Sequence, residues 1–190
     1  DKKFHTLQHQ ISVVFICLLL LSIFTITLIN GLFLEKYYVS KKVEVLEEAK
    51  EVLSQMNLDD ILQYDTDIEE DKKGATDEIS DEIERSSSRN NLTWIIVNEE
   101  NSGYYYWGEN NMAKMLRSKL FGYINNLDQD MQHSRVLKKT DTCTMWQVHD
   151  RFAGMEYVEC WGQFDNGYYF LIRSPLESIK ESASISNSFY

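Results

Sequence analysis

The side chains of this sequence that could do chemistry are few and scattered. The four histidines are His5, His9, His133 and His149, and only His149 has an acidic neighbour, Asp150, that suggests acid–base work. Adjacent residues on a strand point to opposite faces of the sheet, so these two cannot act together in a simple way. No cysteine lies at metal-ligand spacing from a histidine, and the sequence has no glycine-rich phosphate loop or Gly-x-Ser-x-Gly elbow. The residues therefore predict no catalytic site, no metal site and no cofactor within this chain.

Ligand binding is the second kind of chemistry to consider, because Trp and Tyr residues crowd the second half of the chain. Such rings most often pack in the core or cover apolar surface, but a few of them can line a pocket between a sheet and its helices and contact a small molecule there. Arginines would join such a pocket if the ligand is anionic, although exposed arginines on strand edges are common. The candidate ligand-binding residues are Trp94, Tyr106, Trp146, Arg151, Tyr157 and Arg173.

A disulfide between Cys143 and Cys160 depends on where the hairpin between them turns. A turn at residues 153–154 would place Cys160 opposite Gln147, which leaves Cys143 too far away to bridge. A turn at residues 151–152 would instead place the two sulfur atoms opposite each other. Both a disulfide and two free thiols stay open at this point.

The elements that must position these residues begin with an uncharged segment at residues 11–34, ISVVFICLLLLSIFTITLINGLFL. About 20 apolar residues span the hydrocarbon core of a bilayer as a helix. A secretory signal peptide has a shorter apolar region, about 7 to 15 residues, and ends at a small-residue cleavage site. The flank NGLFLEKYY offers no such site. We therefore expect an uncleaved transmembrane helix at residues 11–34.

The charge distribution argues against one class of partner, nucleic acid, but does not determine the orientation of the chain in the membrane. The formal net charge is −11, and no basic stripe is visible, so nucleic acid is not an expected partner. Lysines lie on both sides of the apolar segment, so the positive-inside rule does not fix its orientation. Because residues 1–10 are too few to form a domain, we place them in the cytoplasm as an arm. The acidic part after the membrane is then extracytoplasmic, and the protein is expected in the cell membrane.

The first part of the chain after the membrane is predicted to be helical. Residues 35–57 carry apolar side chains at steps of three and four, which predicts an amphipathic helix that continues from the membrane segment. Its apolar stripe could pack on its own sheet or on a second copy of the chain as a coiled coil. A shorter helix is predicted where Ile79 and Ile83 fall four residues apart.

The second half of the chain alternates strands with one long helix. The runs LTWIIVN and SGYYYWG predict a hairpin, and apolar spacing predicts a helix over residues 111–132. Four further runs, SRVLKKT, TMWQVHDRF, EYVECWGQF and GYYFLIRSP, predict strands, and Pro175 should end the last strand and begin a helix over residues 175–190. The fold class is therefore α+β, with residues 35–174 forming one domain around an antiparallel sheet.

The two ends of the chain resemble a known family. The stretch NGYYFLIRSPLESI, followed by ES and ISNSFY, resembles the segment before the second transmembrane helix of bacterial membrane-bound sensor histidine kinases of the two-component class. The stretch KKFHTLQHQISVVFICLLLLSIF is similar to their first membrane helix. The middle is similar to the PAS-like or single Cache sensor fold by its layout alone.

This resemblance implies a homodimer whose extracytoplasmic domain senses a small-molecule or peptide ligand of unknown identity. Residues 175–190 would then be a transmission helix leading to a second transmembrane span beyond Tyr190. A cytoplasmic kinase using ATP and Mg²⁺ would autophosphorylate on His and pass the phosphoryl group to a response regulator. The 190 residues carry neither the phosphoacceptor His box nor the ATP-binding boxes, so this part of the protein is not itself expected to be an enzyme.

Other classes share this input architecture. Chemoreceptors and membrane-bound diguanylate cyclases carry similar sensor regions. A single-span membrane protein whose domain binds another protein is the third class that fits the sequence. The coding sequence beyond Tyr190 would separate them, because any receptor needs a second apolar segment of about 20 residues.

Overall fold

The computed structural model of the chain describes residues 2–56, 63–64, 78–98, 103–108 and 112–176. The helices in these ranges are α1 (Lys2–Ser54), α2 (Glu78–Asn90), α3 (Ala113–Ile124) and a 3-10 helix (Gln129–His133). The strands are β1 (Gln63–Tyr64), β2 (Thr93–Val97), β3 (Gly103–Trp107), β4 (Arg135–Lys139), β5 (Cys143–Asp150), β6 (Met155–Gln163) and β7 (Tyr169–Pro175). The strand β7 ends at Pro175, and the predicted helix after it lies outside the described residues.

The chain divides into two compact units, Asp1–Ser40 and Lys41–Tyr190. In the first unit the large apolar side chains of α1 are exposed, as at Phe15, which is 65% exposed. By length and composition this helix could cross a membrane. One unbroken helix from Lys2 to Ser54 also confirms that the apolar segment continues into the predicted amphipathic segment.

The second unit is built on a seven-stranded sheet with the order β1-β3-β2-β7-β6-β5-β4. Every pair of neighbouring strands is antiparallel, as predicted. The strands β2 and β3 form the predicted hairpin, and β6 and β7 form another across a turn in which Gly167 has a φ of 89°. The last strand, β7, lies in the middle of the sheet because Ile172 pairs with Trp94 on one side and Cys160 on the other. The architecture is therefore α+β.

Helices cover both faces of this sheet, and the alternation of side chains along β2 separates the two cores. On the α1 face, Trp94 packs in a core that includes Leu46 and Leu53 of α1 and Ile83 of α2. The apolar stripe of the second unit's part of α1 thus packs on its own sheet, which was one of the two alternatives. On the opposite face, called the α3 face, Ile95 packs with side chains of α3.

The helix predicted over residues 111–132 is shorter than expected. The helix α3 ends at Ile124, because Asn126 adopts a left-handed conformation with a φ of 55°. The amide of Leu127 then donates to the carbonyl of Gly122 at 2.8 Å, a bond typical of helix C-termini. The 3-10 helix that follows begins with the Asp128 side chain accepting from the amide of Asp130 at 2.8 Å. The apolar spacing in the sequence continues past Ile124, but the left-handed conformation of Asn126 ends the helix first.

Neither register considered for the β5–β6 hairpin is correct. In the structure Cys160 lies opposite Met145, and Cys143 lies opposite Gly162. The turn occupies residues 151–154, so the register falls midway between the two alternatives. Cys143 and Cys160 are both free thiols. They lie two residues apart in register and therefore on the same face of the sheet.

Candidate ligand-binding site

The α3 face buries charged side chains from five different elements. Ordinary cores exclude such groups because removing a charge from water is costly unless it is paired. The set, called here the buried ionic cluster, consists of Lys119 from α3, Asp130 from the 3-10 helix, Asp150 from β5, Glu159 from β6 and Arg173 from β7. The sequence folds this way because each strand residue occupies an inward position among apolar neighbours.

Asp150 is the centre of the cluster. One of its carboxylate oxygens accepts from the Lys119 ammonium at 3.2 Å and from the Arg173 guanidinium at 2.8 Å. The other oxygen accepts from the backbone amides of Phe152 and Ala153 at 2.9 and 3.1 Å. Burial favours the protonated form, but the Ala153 amide and the two cations outweigh it and hold the pKa of Asp150 below its usual range. Asp150 is therefore ionised at neutral pH.

Asp130 ties the cluster to the surface. It accepts from Lys119 at 3.0 Å and from Arg151 at 2.8 Å. Burial acts against ionisation, but the hydrogen bonds from Arg151 and Lys119 prevail and lower the pKa of Asp130. Burial likewise acts against the charge of Lys119, but nearby carboxylates raise its pKa. Two buried cations are thus matched by two ionised aspartates.

Glu159 is a third buried carboxyl group, in addition to the two aspartates that balance the two buried cations. It accepts from the Tyr123 hydroxyl at 2.7 Å and from the Trp146 indole at 3.0 Å, both through the same oxygen. Burial raises the pKa of Glu159, although the positive charge of Lys119 and the two hydrogen bonds act in the opposite direction. Arg173 lies directly opposite Glu159 in register. Among the described residues, the other Glu159 oxygen and the Arg173 Nε atom have no hydrogen-bond partner.

An open cleft lies beside the cluster, between the end of α3 and the β6–β7 turn. It has a volume of about 700 Å³. Aromatic side chains on the α3 face form part of its lining, and charged side chains lie among its lining residues. Its lining residues include Trp146, Trp161, Tyr169, Met131, Lys139 and Asp165.

Three rings connect the cleft with the buried ionic cluster. The centroids of Trp146 and Trp161 are 5.4 Å apart, and Tyr123 lies 4.8 Å from Trp146 and 5.6 Å from Trp161. Trp146 lines the cleft and also donates to Glu159. A molecule that stacks in this cleft would therefore touch a ring whose hydrogen bond reaches the cluster. Flat aromatic or apolar groups suit such a lining best.

The structure brings four of the six predicted ligand-binding residues to the α3 face. Trp146 lines the cleft, and Arg173 belongs to the cluster, with its guanidinium carbon 4.2 Å from the Tyr157 ring centroid. Tyr106 packs on the same face from β3. Trp94 points to the α1 face, where its indole donates to the Ser87 hydroxyl at 2.9 Å as a core residue.

Arg151 lies on the β5–β6 turn, with its side chain 54% exposed, and its charge is paired with Asp130. Sequence reasoning missed Lys119, Asp130, Glu159, Trp161 and Tyr169 as site residues. Lys119 and Glu159 did leave a signal, because each is a charged residue at an inward position of an apolar pattern. Asp150 was considered only beside His149, and the two do point apart, with His149 exposed and Asp150 buried.

No metal centre competes with this assignment, since the described part of the chain contains no group of three His, Cys, Asp or Glu side chains suited to a metal ion. Comparison with known proteins finds no match to a protein family, to a curated protein or to a solved structure.

The exit of the sheet domain lies beside the helix by which the chain enters it. The Lys42 ammonium on α1 donates to the Ser174 hydroxyl at the end of β7 at 2.6 Å. The same hydroxyl donates to the Asn90 carbonyl at the end of α2 at 3.1 Å. Burial lowers the pKa of Lys42. The beginning and the end of the domain thus meet at one small polar contact.

Proposed function

We propose that this chain is the signal-sensing input module of a membrane-bound sensor histidine kinase, with the sheet domain outside the cytoplasm. The observation that carries the proposal is the contact between Lys42 and Ser174 at 2.6 Å. A receptor with two membrane helices needs the entry and exit of its sensor domain side by side. A change in the sheet can then alter the relation between the two helices.

The layout of the sheet supports a PAS-like or Cache-like identity for the domain. A hairpin and a set of antiparallel strands belong to one sheet, and a helix connects them along the chain. The last strand, β7, pairs with β2, the first strand of the hairpin. The ligand in this proposal is a small molecule or peptide with an aromatic or apolar group. It binds in the cleft against Trp146 and Trp161. The functional unit is a homodimer, and its output passes through the cytoplasmic kinase to a response regulator.

A ligand can shift a receptor only by binding one of two arrangements more tightly than the other. The hydrogen bond from Trp146 to Glu159 offers a route for such a preference. Glu159 and Arg173 lie on neighbouring strands, and Arg173 is adjacent to Ser174, so the cleft and the exit contact lie on one continuous path. Cleft binding is thus proposed to act on the end of β7.

The experiment uses membranes that contain the full-length gene product, supplied with ATP and Mg²⁺. The expected result is phosphate on histidine, recognised by its lability in acid. Trp161→Ala in the cleft should change the response to a cell extract that activates the parent protein. Trp107→Ala, a partly buried tryptophan that packs on the α1 face, is the matched control and should keep the response.

Two outcomes would contradict the proposal. Formation of a cyclic dinucleotide from GTP without histidine phosphorylation would point to a diguanylate cyclase. A coding sequence without an apolar segment of about 20 residues after Tyr190 would point to a single-span binding protein.

A further inference from the structure

The α1 face carries two thiols that form no part of the buried ionic cluster. Cys143 is the first residue of β5, and Cys160 lies within β6. Both belong to the core that contains Leu46 and Leu53 of α1. Cys143 is 6% exposed and Cys160 is fully buried. Only Cys143 therefore keeps contact with solvent.

The register makes these cysteines diagonal neighbours on one face of the sheet. Cys160 is opposite Met145, and Cys143 is opposite Gly162. Diagonal positions of an antiparallel pair are about 7 to 8 Å apart, whereas a relaxed disulfide joins Cα atoms no more than about 6.8 Å apart. A bond between these sulfur atoms would require a small backbone shift, so it would be strained. Strained disulfides are easily reduced and are typical of reversible sites rather than structural ones.

The surroundings make the two thiols chemically unequal. A hydrogen bond from Cys160 lowers the pKa of Cys143 to about 6, with help from Thr140 and Lys50 and against the effect of burial. The Thr140 hydroxyl oxygen lies 3.2 Å from the Cys143 sulfur. The same interaction and burial raise the pKa of Cys160 well above its usual range. At neutral pH Cys143 is the thiolate and Cys160 is the thiol.

We propose that Cys143 and Cys160 form a reversible redox site that reacts with hydroperoxides. The Cys143 thiolate attacks the peroxide, so that an S–O bond forms and the O–O bond breaks. The sulfur becomes a sulfenic acid, and the peroxide is reduced to water or an alcohol. The Cys160 sulfur, giving up its proton, then attacks the sulfenic sulfur, and water leaves as the disulfide forms. A thiol such as glutathione restores both cysteines by thiol–disulfide exchange.

The consequence of oxidation would be local at first. Cys143 adjoins residues 140–142, and all four residues line the cleft on the sheet. The Gln163 amide donates to the carbonyl of Thr142 at 3.1 Å, so the end of β6 is tied to the same segment. The backbone shift that a disulfide requires would therefore reach the rim of the cleft. This redox site is independent of the proposed kinase identity.

The test uses the full chain in detergent micelles with Cys17→Ser, which leaves only the two thiols of interest. Hydrogen peroxide should remove the mass of two hydrogen atoms from the folded chain, and the rate should fall as the pH is lowered through about 6. Cys160→Ser should accumulate a sulfenic acid that a 1,3-dione traps. Cys143→Ser should react at least about tenfold more slowly than the parent. The pH dependence needs no cysteine variant beyond Cys17→Ser, so it decides the matter if either further variant fails to fold.

Equal peroxide rates for Cys143→Ser and its parent, or a rate that does not change with pH, would overturn the proposal. A second measurement separates a reversible site from a structural disulfide. The oxidised chain is equilibrated with glutathione buffers, both folded and in denaturant. The folded disulfide should be reduced at a lower ratio of reduced to oxidised glutathione than the unfolded one. A folded disulfide that is harder to reduce would instead be a structural bond.

Discussion

The two faces of the sheet differ in the polarity of the side chains that they bury. The α1 face is apolar, and its buried tryptophan, Trp94, satisfies its only polar atom with the Ser87 hydroxyl. The α3 face holds the buried ionic cluster and the aromatic cleft. Replacing a buried ion network by apolar packing is often neutral or stabilising, so such a network is not explained by stability alone. The difference supports the proposal that the ligand binds on the α3 face, while the apolar core of the α1 face stabilises the domain.

The largest expected effect comes from removing the centre of the cluster. Asp150→Ala would leave Lys119 and Arg173 as buried cations without their shared carboxylate. Breaking a buried pair in this way costs about 3 to 5 kcal/mol of unfolding free energy. Denaturant unfolding followed by tryptophan fluorescence measures it. Asp141→Ala, at an exposed loop position, is the control and should change stability by less than about 0.5 kcal/mol. Similar losses of unfolding free energy for both variants would contradict the role of Asp150 as the carboxylate that compensates the buried cations.

The apolar face should respond to cavity formation alone. Leu53→Ala on α1 removes a fully buried side chain and should cost about 3 kcal/mol. In a Cys143→Ser background, which removes the thiol of this core whose pKa is lowered to about 6, the loss from Leu53→Ala should not vary with pH between about 5 and 8. The same denaturant measurement at several pH values checks it. A strong pH dependence would show that the two faces are not electrostatically separate.

A third prediction concerns Glu159, whose pKa is raised by burial. The native state then holds this proton more tightly than the unfolded state. The stabilisation is complete below the unfolded pKa, about 4.3, and is lost as the pH rises through the native pKa. The slope reaches at most about 1.4 kcal/mol per pH unit. Glu159→Gln should abolish this slope. The lowered pKa values of Asp130 and Asp150 act in a separate window, because their stabilisation is lost only as the pH falls below about 4.

The Gln variant keeps an acceptor for Tyr123 and Trp146, so its unfolding free energy near the unfolded pKa should stay close to that of the parent. An unchanged slope in the variant would mean that another group titrates in this range.

The smallest expected effect is at the exit contact. Lys42→Met keeps most of the side-chain volume but removes the hydrogen bonds to Ser174 and Asn90. A net loss of about 1 kcal/mol is expected. Lys41→Met, at an exposed neighbouring position, is the control. Under the proposed kinase function, Lys42→Met in the full-length protein should change basal autophosphorylation, and equal output from both variants would contradict the role proposed for this contact.

The sequence predicted the elements well where a repeated pattern decides them. Strand-like runs separated by turn signals placed β2 to β7, and Pro175 marked the end of β7. Two features depended instead on local backbone conformation, which no pattern reports. The left-handed Asn126 ended α3 early, and the four-residue turn at residues 151–154 fixed a register that neither two-residue alternative gave.

The candidate site was harder to predict because it depends on pairing between distant elements. Arg173 was expected near a pocket, but its partner Asp150 is 23 residues away in the chain. Lys119 stood within the apolar pattern of its helix, and only the fold shows that two aspartates meet it there. A charged residue inside an apolar stripe is thus a signal worth following, but the identity of its partner requires the strand order.

The central place of β7 has a consequence for how the domain is made. Among the described strands, the hairpin of β2 and β3 shares no ladder with the group of β4, β5 and β6, and β7 joins the two. A ribosome synthesises β7 after the other described strands, so until then the edges of β2 and β6 that pair with β7 are unpaired. Pairing Trp94 with Ile172 also closes a long stretch of chain, which slows folding. Before β7 is synthesised, the nascent domain exposes unpaired strand edges that can associate with other chains. These edges are therefore the expected binding site for a chaperone.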